Sequence, residues 1–264
     1  MGDNMDVSKK VVIVTGAGKG IGKAIALEFG KRGSFVIVAE IDSICGQEVC
    51  DEIIQNGGTA HFIETDVSSE QSIKDMITQT VQLYGKIDTL VNNAGITIFK
   101  PILECSVEDW DLVMNTDLKS VFLASKYAAI EMIKNNAGSI INIASNHVHA
   151  TLTDSEMYAA AKSGVIGFTK GLALSLGHQG IRVNAVCPGF MDTYHYRNWR
   201  SQFEDQDFIQ QEVDSLHATN RMGDPQEVAN ICIFLASGLA NQMTGSSITL
   251  DGGLSTRLYH SKYA

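Results

Sequence analysis

The sequence predicts a single α/β domain in which a mostly parallel, seven-stranded sheet is wound with helices on both faces. Three observations predict it. Short β-rich runs take turns with helical patterns along the chain, and those runs are apolar throughout, as strands covered on both sides must be. A glycine-rich turn joins the first strand to the first helix. With 264 residues, 44% of them hydrophobic, the chain can bury a core of this size. It shows no low-complexity linker and no repeat of 20 to 50 residues, so residues 1–264 read as one domain.

The elements follow in order. "KVVIVTG" reads as a strand, "GIGKAIALEFGKRG" as a helix closed by Gly33, "SFVIVAE" as a strand and "DSICGQEVCDEIIQNGG" as a helix closed by Gly57. "AHFIETDVS" leads into the helical "SEQSIKDMITQTVQLYG", and "IDTLVNNAG" returns to strand. A long helix near 106–135 precedes the strand "GSIINIAS", and a helix near 155–177 precedes the strand "IRVNAVCPG". An irregular stretch over 190–222, a helix near 225–237 and the strand "SSITLDGG" complete the pattern. This is a doubly wound, Rossmann-type arrangement with a core over about 8–256.

Composition removes several classes of function. A net charge of -10 and a pI near 5.1 argue against nucleic acid or an anionic membrane as the partner, which leaves small molecules. No run of 18 apolar residues occurs and "MGDNMDVSKK" has no apolar stretch of the signal-peptide kind, so the expected location is cytoplasmic. Five cysteines, Cys45, Cys50, Cys105, Cys187 and Cys232, have no CxxC spacing and read as reduced thiols; no metal site is expected.

After the strand ending at Val14 comes "TGAGKGIG", where Gly16, Gly18, Gly20 and Gly22 run into a helix. Glycines let a backbone approach a pyrophosphate closely, and a helix N-terminus offers that anion free N–H groups and a positive dipole end. The spacing is G-x-x-x-G-x-G rather than G-x-G-x-x-G, so the position of the loop between first strand and first helix carries the reading. The second strand ends in Glu40, where a carboxylate would accept ribose hydroxyls and repel a 2′-phosphate. Lys19 pulls the other way, and Glu40 is given more weight: NAD is expected, with NADP disfavoured.

Taken together, "TGAGKGIG", "NNAG" at 92–95, Ser145 thirteen residues before Tyr158, "YAAAK", "PG" at 188–189 and "DGG" at 251–253 resemble the short-chain dehydrogenase/reductase family over roughly residues 8–256. The resemblance implies a nicotinamide cofactor and a tetramer or dimer built from the helices near 106–135 and 155–177; a homotetramer is the expectation. It implies cofactor contacts from Gly16, Gly18, Lys19, Gly20, Ile21 and Gly22, from Asp66 and Val67 at the adenine, and from Asn93, Ala94 and Gly95 at the adenosine ribose. At the nicotinamide end it implies Tyr158, Lys162, Pro188, Gly189, Phe190 and Thr193.

Tyr158 and Lys162 lie one helical turn apart on one face. Spacing alone does not prove chemistry, since such a pair is commonly a half-buried aromatic and a solvated cation. Within this pattern, however, Tyr158 is the acid or base of an alcohol–ketone interconversion, and the Lys162 ammonium favours its phenolate. By resemblance Lys162 also holds the nicotinamide ribose, and Ser145 orients the reacting oxygen. One position departs from the family. Asp117, 22 residues after Gly95, stands where the family places a catalytic Asn. It is expected to hold a relay water by accepting hydrogen bonds, rather than to grip the ammonium. A shift that brings in Asn115 instead is the alternative.

The aromatic stretch 190–222 reads as a substrate lid. Ser145, His147, His149, Tyr158, Tyr194 and Trp199 are the expected substrate contacts, with His195, Tyr196 and Arg197 close by and Arg197 and Arg200 available to a carboxylate. So polar a set suits a polyol, sugar or cyclitol. A hydroxysteroid or other bulky apolar alcohol packed on Phe190, Met191, Tyr194 and Trp199 is the alternative, and a dinucleotide sensor without turnover the remote one.

Overall fold

The structure is a computed structural model and describes residues 5–257. Seven strands, β1 Val11–Thr15, β2 Phe35–Glu40, β3 Thr59–Glu64, β4 Thr89–Asn92, β5 Gly138–Ile143, β6 Ile181–Pro188 and β7 Ser247–Leu250, form one sheet in the order β3-β2-β1-β4-β5-β6-β7. Every pairing is parallel. The sheet is therefore wholly rather than mostly parallel, because each crossover carries the chain back over a face of the sheet.

Alternate residues of β1 explain its unbroken apolar sequence. Val12 and Val14 face the layer built from α1 Gly20–Lys31, α2 Ser43–Gln55 and α9 Pro225–Ala236. Ile13 faces the layer of α3 Glu70–Tyr84, α5 Ser120–Ile133 and α6 Glu156–Leu176. The chain winds outward from β1 to β3, then returns to β4 and winds the other way. That reversal opens a crevice at the C-terminal ends of β1 and β4, where ligands bind in sheets of this kind.

Two sequence expectations change. The long helix near 106–135 is α4 Val107–Met114 and α5 joined by a π-helical turn, Asn115–Lys119. A π turn fits one extra residue without breaking the helix, so apolar periodicity gives no sign of it. The stretch 190–222 is not irregular. It holds α7 Tyr194–Arg200, capped by Thr193, and α8 Gln206–Leu216, capped by Asp205. Both are short and polar, and their apolar side is only the small cluster of Tyr196, Val213 and Met222 with Phe190 and Ile209.

Candidate active site

The site starts with the turn after β1. Gly16 has φ +63°, a conformation costly for other residues, and a Cβ on Gly22 would lie 2.1 Å from the Gly16 carbonyl oxygen. Asn93 braces this turn: its Nδ2 donates to the carbonyls of Thr15 and Gly16 at 3.0 Å each. Helix α1 begins with no side-chain cap and no acidic residue in its first turn, so its N–H groups face the crevice uncompensated. These features fit the pyrophosphate of a dinucleotide.

At the end of β2, Glu40 accepts from the backbone N–H of Gly18 at 2.9 Å through one oxygen, and from Ile41 and Asp42 through the other. Lys19 reaches Asp42 at 3.2 Å. The Asp42 carboxyl is held at about 2 by hydrogen bonds from the Cys45 thiol and backbone and by Lys19. Asp42 was not among the sequence candidates. Its place as N-cap of α2 was the only local signal.

The π turn aims Asp117 inward, and this residue has no exposed surface. Its Oδ1 accepts from the Ile96 N–H at 2.8 Å, which turns Oδ2 toward Lys162 Nζ, 3.2 Å away. Here the expectation is corrected. The carboxylate meets the ammonium directly, because Ile96 fixes its orientation and both groups are buried. Burial alone would push the Lys162 ammonium down, but the charges of Asp117 and Tyr158 outweigh it and leave it raised. Lys162 also donates to the Ile143 carbonyl at 3.3 Å, and its Nζ is 5.6 Å from the centroid of the Tyr158 ring.

Ser145, just past the end of β5, accepts from the His147 N–H at 3.2 Å, and its own proton makes only a long 3.5 Å bond to Asn146 Oδ1. One pocket is lined by Ser145, Tyr158, Lys162, Asp117, Gly95 and Gly189. Ile21, Asn93 and Pro188 line it too, whereas Asn115 does not.

Other candidates lie further out. Asp66 accepts from the Ser68 N–H at 2.9 Å and from its hydroxyl, and Val67 is buried beside it. Ala94 donates its N–H to Thr15 Oγ1 at 3.1 Å. The Thr193 methyl lies over Gly20. Phe190 packs edge-on against His217. Of the substrate candidates, His147 sits edge-on to Tyr158 with ring centroids 5.2 Å apart. His149 instead binds Thr249 Oγ1 through Nε2 at 3.0 Å. Tyr194 is exposed, with Lys19 over its ring, and Trp199 meets Tyr196 at a tilt and Phe203 edge-on. Arg197 pairs with both oxygens of Asp192, and Arg200 donates to the Gln210 side-chain oxygen.

A family model described as enoyl-(acyl carrier protein) reductase matches residues 16–255. The chain belongs to the short-chain dehydrogenase/reductase family. Among its relatives, the 3-oxoacyl-[acyl-carrier-protein] reductase FabG of Chlamydia pneumoniae is 37% identical over 245 residues, covering 93% of this chain and 96% of that protein. The aldohexose dehydrogenase of Thermoplasma acidophilum superposes with a TM-score of 0.88 at 36% identity, covering 98% of each chain. A 7α-hydroxysteroid dehydrogenase, solved with NADH and 7-oxo glycochenodeoxycholic acid, gives 0.88 at 33% identity, with 96% of this chain and 97% of that one covered. As a short-chain dehydrogenase/reductase, this protein is an oxidoreductase of a family that uses nicotinamide dinucleotides.

Proposed function

We propose that this oxidoreductase interconverts a secondary alcohol and a ketone with NAD, using Tyr158 as the acid or base, on a polar polyol, sugar or cyclitol. The observation that carries the reading is the convergence of Ser145, Tyr158 and Lys162 on one pocket beside the glycine turn. A bound nicotinamide would supply or take up the hydride. The chain's own residues manage the oxygen. Ser145 exchanges its long bond to Asn146 for one to the reacting oxygen, to which it donates its proton and which it orients. Tyr158 takes the hydroxyl proton in oxidation and returns one in reduction. Lys162, buried and charged, stabilises the phenolate, while Asp117 keeps that ammonium in place.

Glu40 and Asp42 put two carboxylates at the end of β2, and Asp42 occupies Lys19, the cation that would otherwise attract a 2′-phosphate. That supports NAD. Phe190 packs into the small lid cluster and Met191 into the main core, which leaves the hydroxysteroid alternative only Tyr194 and Trp199 as exposed apolar surface, while His147 sets a polar ring beside Tyr158. The presence of a complete proton-transfer set argues against a sensor without turnover.

Among the described residues no helix is long and apolar enough to cross a membrane, in keeping with a cytoplasmic enzyme acting on a small molecule. Exposed apolar side chains on α4, α5 and α6 support a homotetramer. The test of function is Tyr158→Phe, screened with sugars, cyclitols, hydroxy acids and hydroxysteroids by nicotinamide absorbance. Turnover should fall ~10²- to 10⁴-fold with cofactor affinity kept. Undiminished turnover removes Tyr158 from the chemistry.

A further inference from the structure

The proton positions around His147 can be deduced from its neighbours. Ser155 Oγ donates to the Leu152 carbonyl at 2.6 Å, and a carbonyl oxygen only accepts. The one hydroxyl proton of Ser155 is thereby placed. Thr151 Oγ1 is 3.0 Å from Ser155 Oγ, so Thr151 must be the donor of that bond. Its oxygen is then left to accept from His147 Nδ1, 2.9 Å away. Nδ1 therefore carries the ring proton and Nε2 the lone pair. No hydrogen bond engages Nε2 among the described residues, whereas His149 has spent its Nε2 on Thr249.

We propose that His147 Nε2 is the acceptor for a second hydroxyl of the substrate, which restricts the substrate class to diols and polyols, or the matching hydroxyketones, with a free hydroxyl near the reacting carbon. The inference rests on Tyr158 as the group at the reacting oxygen, since it is the His147 ring against the Tyr158 ring that sets the distance between the two hydroxyls. Burial pushes His147 below its ordinary value, so at neutral pH the ring is uncharged and keeps its acceptor. The backbone N–H of His147 meanwhile holds Ser145, so one residue positions the serine and reads the neighbouring group. An ether oxygen or a bare methylene at that place has no proton to give and leaves Nε2 unpaired on binding.

The test uses cyclohexane-1,2-diol, 2-methoxycyclohexanol and cyclohexanol with NAD, on wild type, His147→Phe and His147→Gln. Wild type should prefer the diol to its methyl ether by about 10- to 100-fold in kcat/KM, less than a fully enclosed polar site achieves because His147 is only half-buried. His147→Phe should bring that ratio close to one by lowering kcat/KM for the diol more than for the ether or for cyclohexanol. His147→Gln, whose carboxamide oxygen accepts, should recover part of the ratio. Equal use of diol and ether by wild type, or a uniform loss on all three alcohols in His147→Phe, overturns the inference and leaves the dehydrogenase reading standing. Turnover of none of the three by wild type overturns both. Independently of turnover, long-range proton–nitrogen NMR of the ligand-free enzyme, with His147 assigned by its loss in His147→Phe, should show the proton on Nδ1. A proton on Nε2 defeats the acceptor role.

Discussion

Asp117 and Lys162 form an ion pair with almost no contact with solvent, and such pairs matter most when one partner is removed. In Asp117→Asn the carboxamide oxygen can still accept from the Ile96 N–H, so folding should survive and turnover should stay within about tenfold of wild type. Both variants remove the counter-charge of the buried ammonium, but Asp117→Leu also removes every acceptor, for Lys162 and for the Ile96 N–H alike. It should cost about 3–5 kcal/mol of stability and slow turnover, read as a lower midpoint in denaturant together with kcat. A leucine variant as stable and fast as wild type would show that the pair contributes nothing. The same scale governs the cofactor. Asp42→Ala frees Lys19, and Glu40→Ala removes the nearer carboxylate; each should move the ratio of kcat/KM for NAD over NADP toward NADP. No change in either variant would place the discrimination elsewhere. That Ser145, Tyr158 and Lys162 share one pocket was legible because their spacing is local to one strand end and one helix. The Asp117–Lys162 contact was not, since it depends on how a π turn faces a helix packed beside it.

Between elements, a buried polar bracket holds the strands that carry the site. Asn92 of β4 donates to Asn142 of β5 at 2.8 Å and to Ser125 of α5 at 3.0 Å, while Asn142 donates to Thr169 of α6 at 2.9 Å. All four residues are buried, so every bond is made away from water. Asn142→Leu keeps the branched, four-atom side chain but is bulkier, leaves the Asn92 amide with Ser125 alone and takes from the Thr169 hydroxyl its donor. The expected cost is about 2–4 kcal/mol in urea unfolding, with the slope of the transition unchanged. A loss below about 0.5 kcal/mol would mean that other groups take over these bonds. The central strands were readable because both their faces are buried and leave unbroken apolar runs. α7 and α8 were not, because each buries only a few side chains and depends on its caps, Thr193 and Asp205, for its start. The π turn escaped for the opposite reason: it sits inside a helical pattern that it does not interrupt.

At the scale of the molecule, the outer faces of α5 and α6 are unlike an ordinary solvated surface. Phe122 and Ile130 stand two turns apart on α5 with Lys126 between them, and Leu174 on α6 is 85% exposed. Phe122 also meets Phe168 of α6 edge-on, which joins the two faces into one apolar surface. On a chain of net charge -10, copies repel one another, so association through this surface must come from apolar burial and should strengthen with salt as the repulsion is screened. Phe122→Glu combined with Leu174→Glu adds two further negative charges at the surface and removes two of its larger apolar groups. Because both side chains are exposed in the single chain, the fold itself should survive, as judged by far-UV circular dichroism. Wild type should sediment as a tetramer, and the double variant as a dimer or monomer whose mass rises again at high salt. A variant that stays tetrameric at low salt would show that subunits meet through another face, and a monomeric wild type would remove the tetramer from the proposal altogether.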